Sequence, residues 1–323
     1  MPDRQMLILG AVTVLVLALV PFLPGAVDSY AFSFLFSVFV YAILAQGWNL
    51  TAGFAGQVSL GSHAFFGLGA YTTAILWSNN YLWGSLYTAY PRIYYFDPVT
   101  MLLSGLVAAL AAAMVGFPLL SKLRGDYFAL GTLGFGEIVK VLFVNGGDFT
   151  GGAFGIVTPS STFDTLLPHY WVGLALTAGI ALAMRTLIKS RYGLALIAVR
   201  DDEMAASANG VNVLMTKILA FAGSAFIAGV AGSLYSYYLF HVGPDSVFSL
   251  DWMLLPLMMT VVGGTGTLLG PIAGAFIMYA VFDLARLVVP SYHPIISGLA
   301  IILAMLFLPS GLMRLNLRRA HSA

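Results

Sequence analysis

Glu137 and Lys140 stand three residues apart inside an otherwise apolar stretch, Tyr127–Asn145. At that spacing the two share one helical face and are within reach of each other. An ionisable group surrounded by hydrocarbon is costly and marks function by default. Three readings stay open: a buried ion pair that locks helices together, a lining or gate of a solute pathway, and a proton relay. A second polar group, Gln57, Ser59, Ser62 and His63, lies among glycines beside Phe65 and Phe66. Hydrogen bonding between helices and contact with a polar solute account for it equally well, and these six residues join Glu137 and Lys140 as candidates for a translocation pathway.

Catalytic and nucleotide-binding motifs are missing from the sequence. It has no Gly-x4-Gly-Lys-Ser/Thr loop, no His-Glu-x-x-His and no Gly-x-Ser-x-Gly, the arrangements that cradle phosphate, bind zinc or expose a nucleophilic serine. There are no cysteines, which excludes thiolate chemistry and Cys-ligated zinc. Of the histidines, His169, His241, His293 and His321 fall at loops or ends, so His63 is isolated within its run and no metal site is expected. The chain is expected to be non-catalytic.

The elements that must position these residues follow from composition. Of 323 residues 60% are hydrophobic and 8% charged, against about 45–50% and about 25% in soluble domains, so the solvent of the folded chain is lipid. A net charge of +1 leaves no basic surface for nucleic acid. Ten apolar runs are long enough to cross a bilayer at about 20 residues each: 6–23, 30–50, 57–76, 101–121, 127–145, 169–188, 217–239, 252–269, 271–289 and 294–311. The first is read as a retained span, although its length and the following Pro24, Gly25 and Ala26 also fit a cleaved signal peptide. The expected fold is all-α, a polytopic membrane protein of about ten transmembrane helices forming a single domain over 1–323. The glycine-dense third and ninth runs are open to being broken or re-entrant.

Positive charge is retained on the cytoplasmic side of a membrane. With ten spans and an inside N-terminus, Arg4, Lys122, Arg124, Arg185, Lys189, Arg191, Arg200, Lys217, Arg314, Arg318 and Arg319 all fall inside. Arg92, Lys140 and Arg286 do not, while Asp28, Asp97, Asp148, Asp164, Asp245 and Asp251 fall outside. Both termini are therefore expected to be cytoplasmic. Tyr81, Trp83, Tyr87, Tyr90, Tyr94 and Tyr95 crowd one external loop, where amphipathic rings suit the membrane interface or a docking surface. Many of the 35 glycines lie inside spans, where small residues let backbones approach closely. Gly53 to Gly69 and Gly263 to Gly274 share a faint pattern, compatible with two five-span halves of opposite direction.

The longest internal polar segment, about 189–216, carries the most information. Within it Arg200, Asp201, Asp202 and Glu203 open a short helical pattern that runs through Ala205 and Ala206 to an Asn209-Gly210 stop; acids suit a helix start and Asn-Gly a helix end. A plain amphipathic loop helix would look the same, but the order Glu203-x-Ala205-Ala206-x-x-x-Gly210 resembles the coupling loop by which ABC importer permeases dock on their ATPases.

Five segments in order, GFAGQVSLGSHAFFGLGAY (53–71), GDYFALGTLGFGEIV (125–139), TGGAFGI (150–156), SRYGLALIAVRDDEMAASANGVNV (190–213) and VVGGTGTLLGPIAGA (261–275), resemble the M-type permease of branched-chain amino acid ABC importers, the LivM-like family. That family often places His-Ala-Ala directly after the glycine corresponding to Gly61, whereas Ser62 intervenes here. The resemblance implies an ABC importer permease fold in the bacterial inner membrane. It implies as partners a homologous H-type permease, two cytoplasmic ATPase subunits that bind ATP and Mg, and a periplasmic solute-binding protein. No cofactor is expected in this chain itself. Relatives of the family also import urea, short amides and aromatic acids, and a secondary transporter with Glu137 as proton carrier is the alternative from another class.

Overall fold

The computed structural model describes residues 3–22, 29–78, 96–158, 165–288, 298–299, 302 and 311–313. The tenth expected span apart from residues 298, 299, 302 and 311, the aromatic loop at 81–95, Asp28, Asp164, Arg92, His293, His321, Arg314, Arg318 and Arg319 lie outside these. The described chain is helical: α1 (Asp3–Leu19), α2 (Ser29–Asn49), α3 (Ser62–Ser78), α4 (Pro98–Lys122), α5 (Asp126–Val144), α6 (Leu167–Lys189), α7 (Arg191–Asp201), α8 (Glu203–Ala208), α9 (Val213–Tyr238), α10 (Pro244–Val247), α11 (Asp251–Gly263) and α12 (Gly270–Val288). Two short strands, β1 (Ile156–Val157) and β2 (His241–Val242), pair antiparallel. Among the described residues seven helical segments are long and apolar enough to cross a membrane: Ser29–Phe54, Pro98–Lys122, Asp126–Val144, Leu167–Lys189, Val213–Tyr238, Pro244–Gly263 and Gly270–Val288. α1 and α3, of 17 residues each, extend about 25 Å at 1.5 Å per residue.

The described residues gather into two compact units. One takes its residues from Met1–Asn49, Thr165–Arg185 and Leu255–Ala323, the other from Leu50–Asp164 and Thr186–Leu254. In the first, Tyr170 is fully buried against Phe39 and Leu174, and its hydroxyl donates to the Leu17 carbonyl at 2.5 Å. α2 lies along α12, with Phe34 against Phe276 and Tyr279 and Tyr41 against Tyr279. The chain between α11 and α12 is not helical: the eighth expected span, 252–269, stops at Gly263, because Gly264 (φ 120°) and Gly266 (φ 72°) turn the backbone. The groups freed there are met by two buried amides of α2. Asn49 accepts from the Gly266 N–H and donates to the Thr267 carbonyl, each at 2.8 Å, and Gln46 donates to the Leu268 carbonyl at 2.6 Å. Broken helices persist in a membrane only where such partners exist. The ninth run, in contrast, is one continuous helix, α12.

In the second unit α9 is the central helix, packed on α4 and α3. The approach is close: a Cβ on Gly69 of α3 would lie 2.1 Å from the Gly229 carbonyl of α9, so only glycine lets these backbones meet. Beside that crossing Thr73 Oγ1 is 2.6 Å from Ser233 Oγ and 2.9 Å from Ser104 Oγ, all buried. α4 starts where Asp97, its N-cap, accepts from the Val99 and Thr100 N–H groups ahead of Pro98, the expected use of Asp and Pro at a helix start. The third run is not broken within itself: its helix starts late, at Ser62, and runs on unbroken to Ser78. A π-helical turn at Leu50–Phe54 is followed by non-helical chain through 61, with Gly56 at φ 69°, and helix resumes only at Ser62.

Candidate functional site

Of the pathway candidates, His63 and Phe65 meet α5, the helix that carries Glu137 and Lys140. The extended chain before α3 is pinned to it, the Leu60 N–H donating to Thr132 Oγ1 at 3.0 Å. Ser59 is buried and accepts from the Gly61 N–H at 3.3 Å. His63, one turn on, is wholly buried, with Nε2 4.0 Å from Glu137 Oε1. Its ring rests on bare backbone, for a Cβ on Gly136 would lie 2.1 Å from that nitrogen. Phe65 packs on Phe135 and Phe221. Phe66 leaves this group and stacks on Trp252 with ring centroids 4.1 Å apart. Gln57 is half-buried and Ser62 buried.

The expected pairing of Glu137 with Lys140 is replaced by another. Lys140 bonds Asp245 of α10 at 2.9 Å, a partner 105 positions away that local spacing cannot reveal. The physical reason is position: Lys140 lies one turn from the end of α5, and a long basic side chain extends toward the helix end where a charged partner is hydrated. Glu137 stays half-exposed, at 52% of its side chain.

The polar segment forms two helices, not one. Arg200 and Asp201 close α7, and Asp202 caps α8, accepting from the Met204 and Ala205 N–H groups at 2.8 and 3.0 Å. Asn209 ends α8 and Gly210 follows at φ 83°, as the helix-stop pattern requires. Glu203 accepts from Lys217 Nζ at 2.5 Å; the lysine side chain is 5% exposed, so this carboxylate ties α8 to α9. Ala206 is packed into the chain's own fold, while Ala205 is exposed and Met204 keeps 84% of its surface. Arg200 pairs with Asp201 at 2.9 Å and donates through Nη1 to the Gly53 carbonyl at 3.2 Å. That second bond links the polar segment to the break before α3. Nearby, the Tyr192 hydroxyl donates to the Thr216 carbonyl at 2.9 Å, and burial pushes this phenol above its usual range.

Met204, Asp245, Asn49 and Gln46 were not among the sequence candidates. Gln46 and Asn49 left a readable signal, two amides three apart in an apolar run; Asp245 left none.

The arrangement is that of a helical membrane protein with a built polar loop at one end and a carboxylate on a helix face, and comparison with known proteins agrees. The family model described as the branched-chain amino acid transport system / permease component matches residues 30–305. The chain belongs to that family. The high-affinity branched-chain amino acid transport system permease protein LivM of Escherichia coli is 32% identical, over 96% of this chain and 75% of the relative. LivM of Salmonella typhimurium is 32% identical over 85% and 68%, and a probable LivM of Methanocaldococcus jannaschii is 23% identical over 84% and 90%. No solved structure matches the chain. This permease is a multi-pass membrane component of a transport system.

Proposed function

We propose that this chain is the membrane permease subunit of a bacterial ATP-driven importer for branched-chain or related amino acids. It forms half of the solute route and pairs with a homologous permease, two ATPase subunits that hold ATP and Mg, and an external solute-binding protein. The observation that carries this reading is likeness to two branched-chain amino acid permeases over most of the chain. The charge distribution supports an inner-membrane chain with both termini cytoplasmic. The sides it implies agree with the contacts within the second unit: Arg200 meets Gly53, both from inside loops, and β1 meets β2, both from outside loops.

In this reading the segment 190–212 couples the permease to an ATPase. α8 presents Met204 and Ala205 outward, and a displacement imposed there has two rigid routes inward. One runs through Glu203 and Lys217 to the start of α9, the other through Arg200 to the Gly53–Gly56 break that leads into α3 and His63. The test is co-purification of ATPase together with solute-stimulated hydrolysis. Met204→Asp and Gly210→Val are expected to abolish stimulation while the permease still inserts. Normal ATPase binding, stimulation and uptake in both variants would remove the coupling role. Uptake that continues without ATP and stops with a protonophore would instead make the chain a secondary transporter.

A further inference from the structure

Two helices of the second unit turn outward faces of different chemistry. On α4 the exposed residues Leu102, Leu106, Leu110, Met114 and Phe117 recur every three or four positions, an unbroken apolar stripe of the kind a helix shows to hydrocarbon. On α5 the stripe at the same period runs Tyr127, Leu130, Gly134, Glu137 and Val141. Gly134 has nothing within 4 Å of where a Cβ would stand, so the face is open one turn before Glu137, the one carboxylate on a face that also exposes Leu130, Ile138, Val141 and Leu142. Glu137 lies about 16 Å from the start of α5 and about 10 Å from its end at 1.5 Å per residue. A carboxylate at that depth is not stable facing lipid, so Glu137 looks onto water, a solute or a partner chain.

The charges around it leave this carboxylate uncompensated. Lys140 is engaged by Asp245, and among the described residues the one basic side chain within 4.0 Å is His63. Both ring nitrogens of that wholly buried histidine lack a hydrogen-bond partner, and the Gly136 backbone prevents the ring from moving away. Nε2 and Glu137 Oε1 stand 4.0 Å apart. Acceptor chemistry without a resident cation is what a solute ammonium requires.

We infer that Glu137 is the intramembrane contact for the ammonium group of the transported solute, with His63 as the positioning residue behind it. This rests on the permease reading and narrows it: solutes with a free ammonium pass this point preferentially, and urea, amides and acids without an amine do not. The transporter is assembled with its partner chains in liposomes, and Gly134→Cys supplies a single thiol one turn from Glu137 in a chain that has none of its own. A small water-soluble thiol reagent is expected to label it at least tenfold faster than the thiol of Leu110→Cys on the apolar α4 stripe. Leucine and alanine should protect it and isobutyramide and urea should not, and Glu137→Gln in the same chain should abolish protection and lower leucine uptake at least tenfold. His63→Ala is expected to raise the KM for leucine with little change in kcat, and His63→Gln to restore part of it. Equal labelling of the two thiols, equal protection by the amides, or full protection and uptake in the Glu137→Gln chain each overturns the inference. Glu137→Gln that loses its partner chains also overturns it, making the carboxylate an assembly contact. Failure of the wild-type chain to take up leucine would count against the permease reading alone, because protection of the Gly134→Cys thiol by amines against amides is read without transport.

Discussion

Removing the Glu203 carboxylate tests the physical logic of the coupling segment most directly. Lys217 is 5% exposed and its ammonium has Glu203 as its ion-pair partner at 2.5 Å. Breaking a buried pair by deleting one member costs about 3–5 kcal/mol, because the surviving charge is left without water or partner. Glu203 is 37% exposed, so solvent already screens part of the attraction and reaches part of the vacated space; the expected destabilisation for Glu203→Ala is about 2–3 kcal/mol. Lys217→Met should cost less, about 1 kcal/mol, since the freed carboxylate can hydrate and the methionine stem refills the packing. The double variant should fall near the Lys217→Met value, an interaction energy of about 2 kcal/mol in the cycle. Equilibrium unfolding of purified permease in detergent, wild type beside the two single variants and the double, measures it. An interaction energy below about 0.5 kcal/mol would refute the argument and return Glu203 to the status of a solvated surface charge.

Gly56→Ala places a side chain at φ 69° and 2.9 Å from Arg200 Cγ. The positive-φ backbone alone should cost about 1–2 kcal/mol, and thermal unfolding should show a loss beyond that share because the new Cβ also crowds Arg200. Asn49→Ala strands the Gly266 N–H and the Thr267 carbonyl in a buried place, so about 2–6 kcal/mol should be lost at roughly 1–3 kcal/mol per orphaned group, with Asn49→Asp intermediate. Tyr192 holds its proton more tightly in the folded chain than a free phenol does. Its contribution is therefore complete below pH about 10 and lost as pH rises above that value, and Tyr192→Phe should flatten the alkaline limb of a stability profile at the loss of about 1 kcal/mol for the bond to Thr216.

What could be read from residue order was what depends on near neighbours. Apolar runs set the helical class and the rough limits of most helices, because hydrocarbon leaves the backbone no other way to satisfy its own groups; the count of ten exceeds the seven candidate spans among the described residues. Asn209-Gly210 marked the end of α8 because capping bonds span two or three residues, while its start was placed at Arg200, two residues before the Asp202 cap. The same local reasoning mispaired Glu137 and Lys140 and merged the end of α7 with α8. Tertiary structure decided the partners: Asp245 for Lys140, Lys217 for Glu203, His63 beside Glu137, the 266–268 carbonyls and amides for Gln46 and Asn49. It also decided that Ala206 turns inward while Met204 turns outward. Each of these depends on how far a helix is rotated about its axis and which neighbour it meets. Close contacts between glycine-rich helices set that rotation, and the residues they join are tens to hundreds of positions apart in the chain.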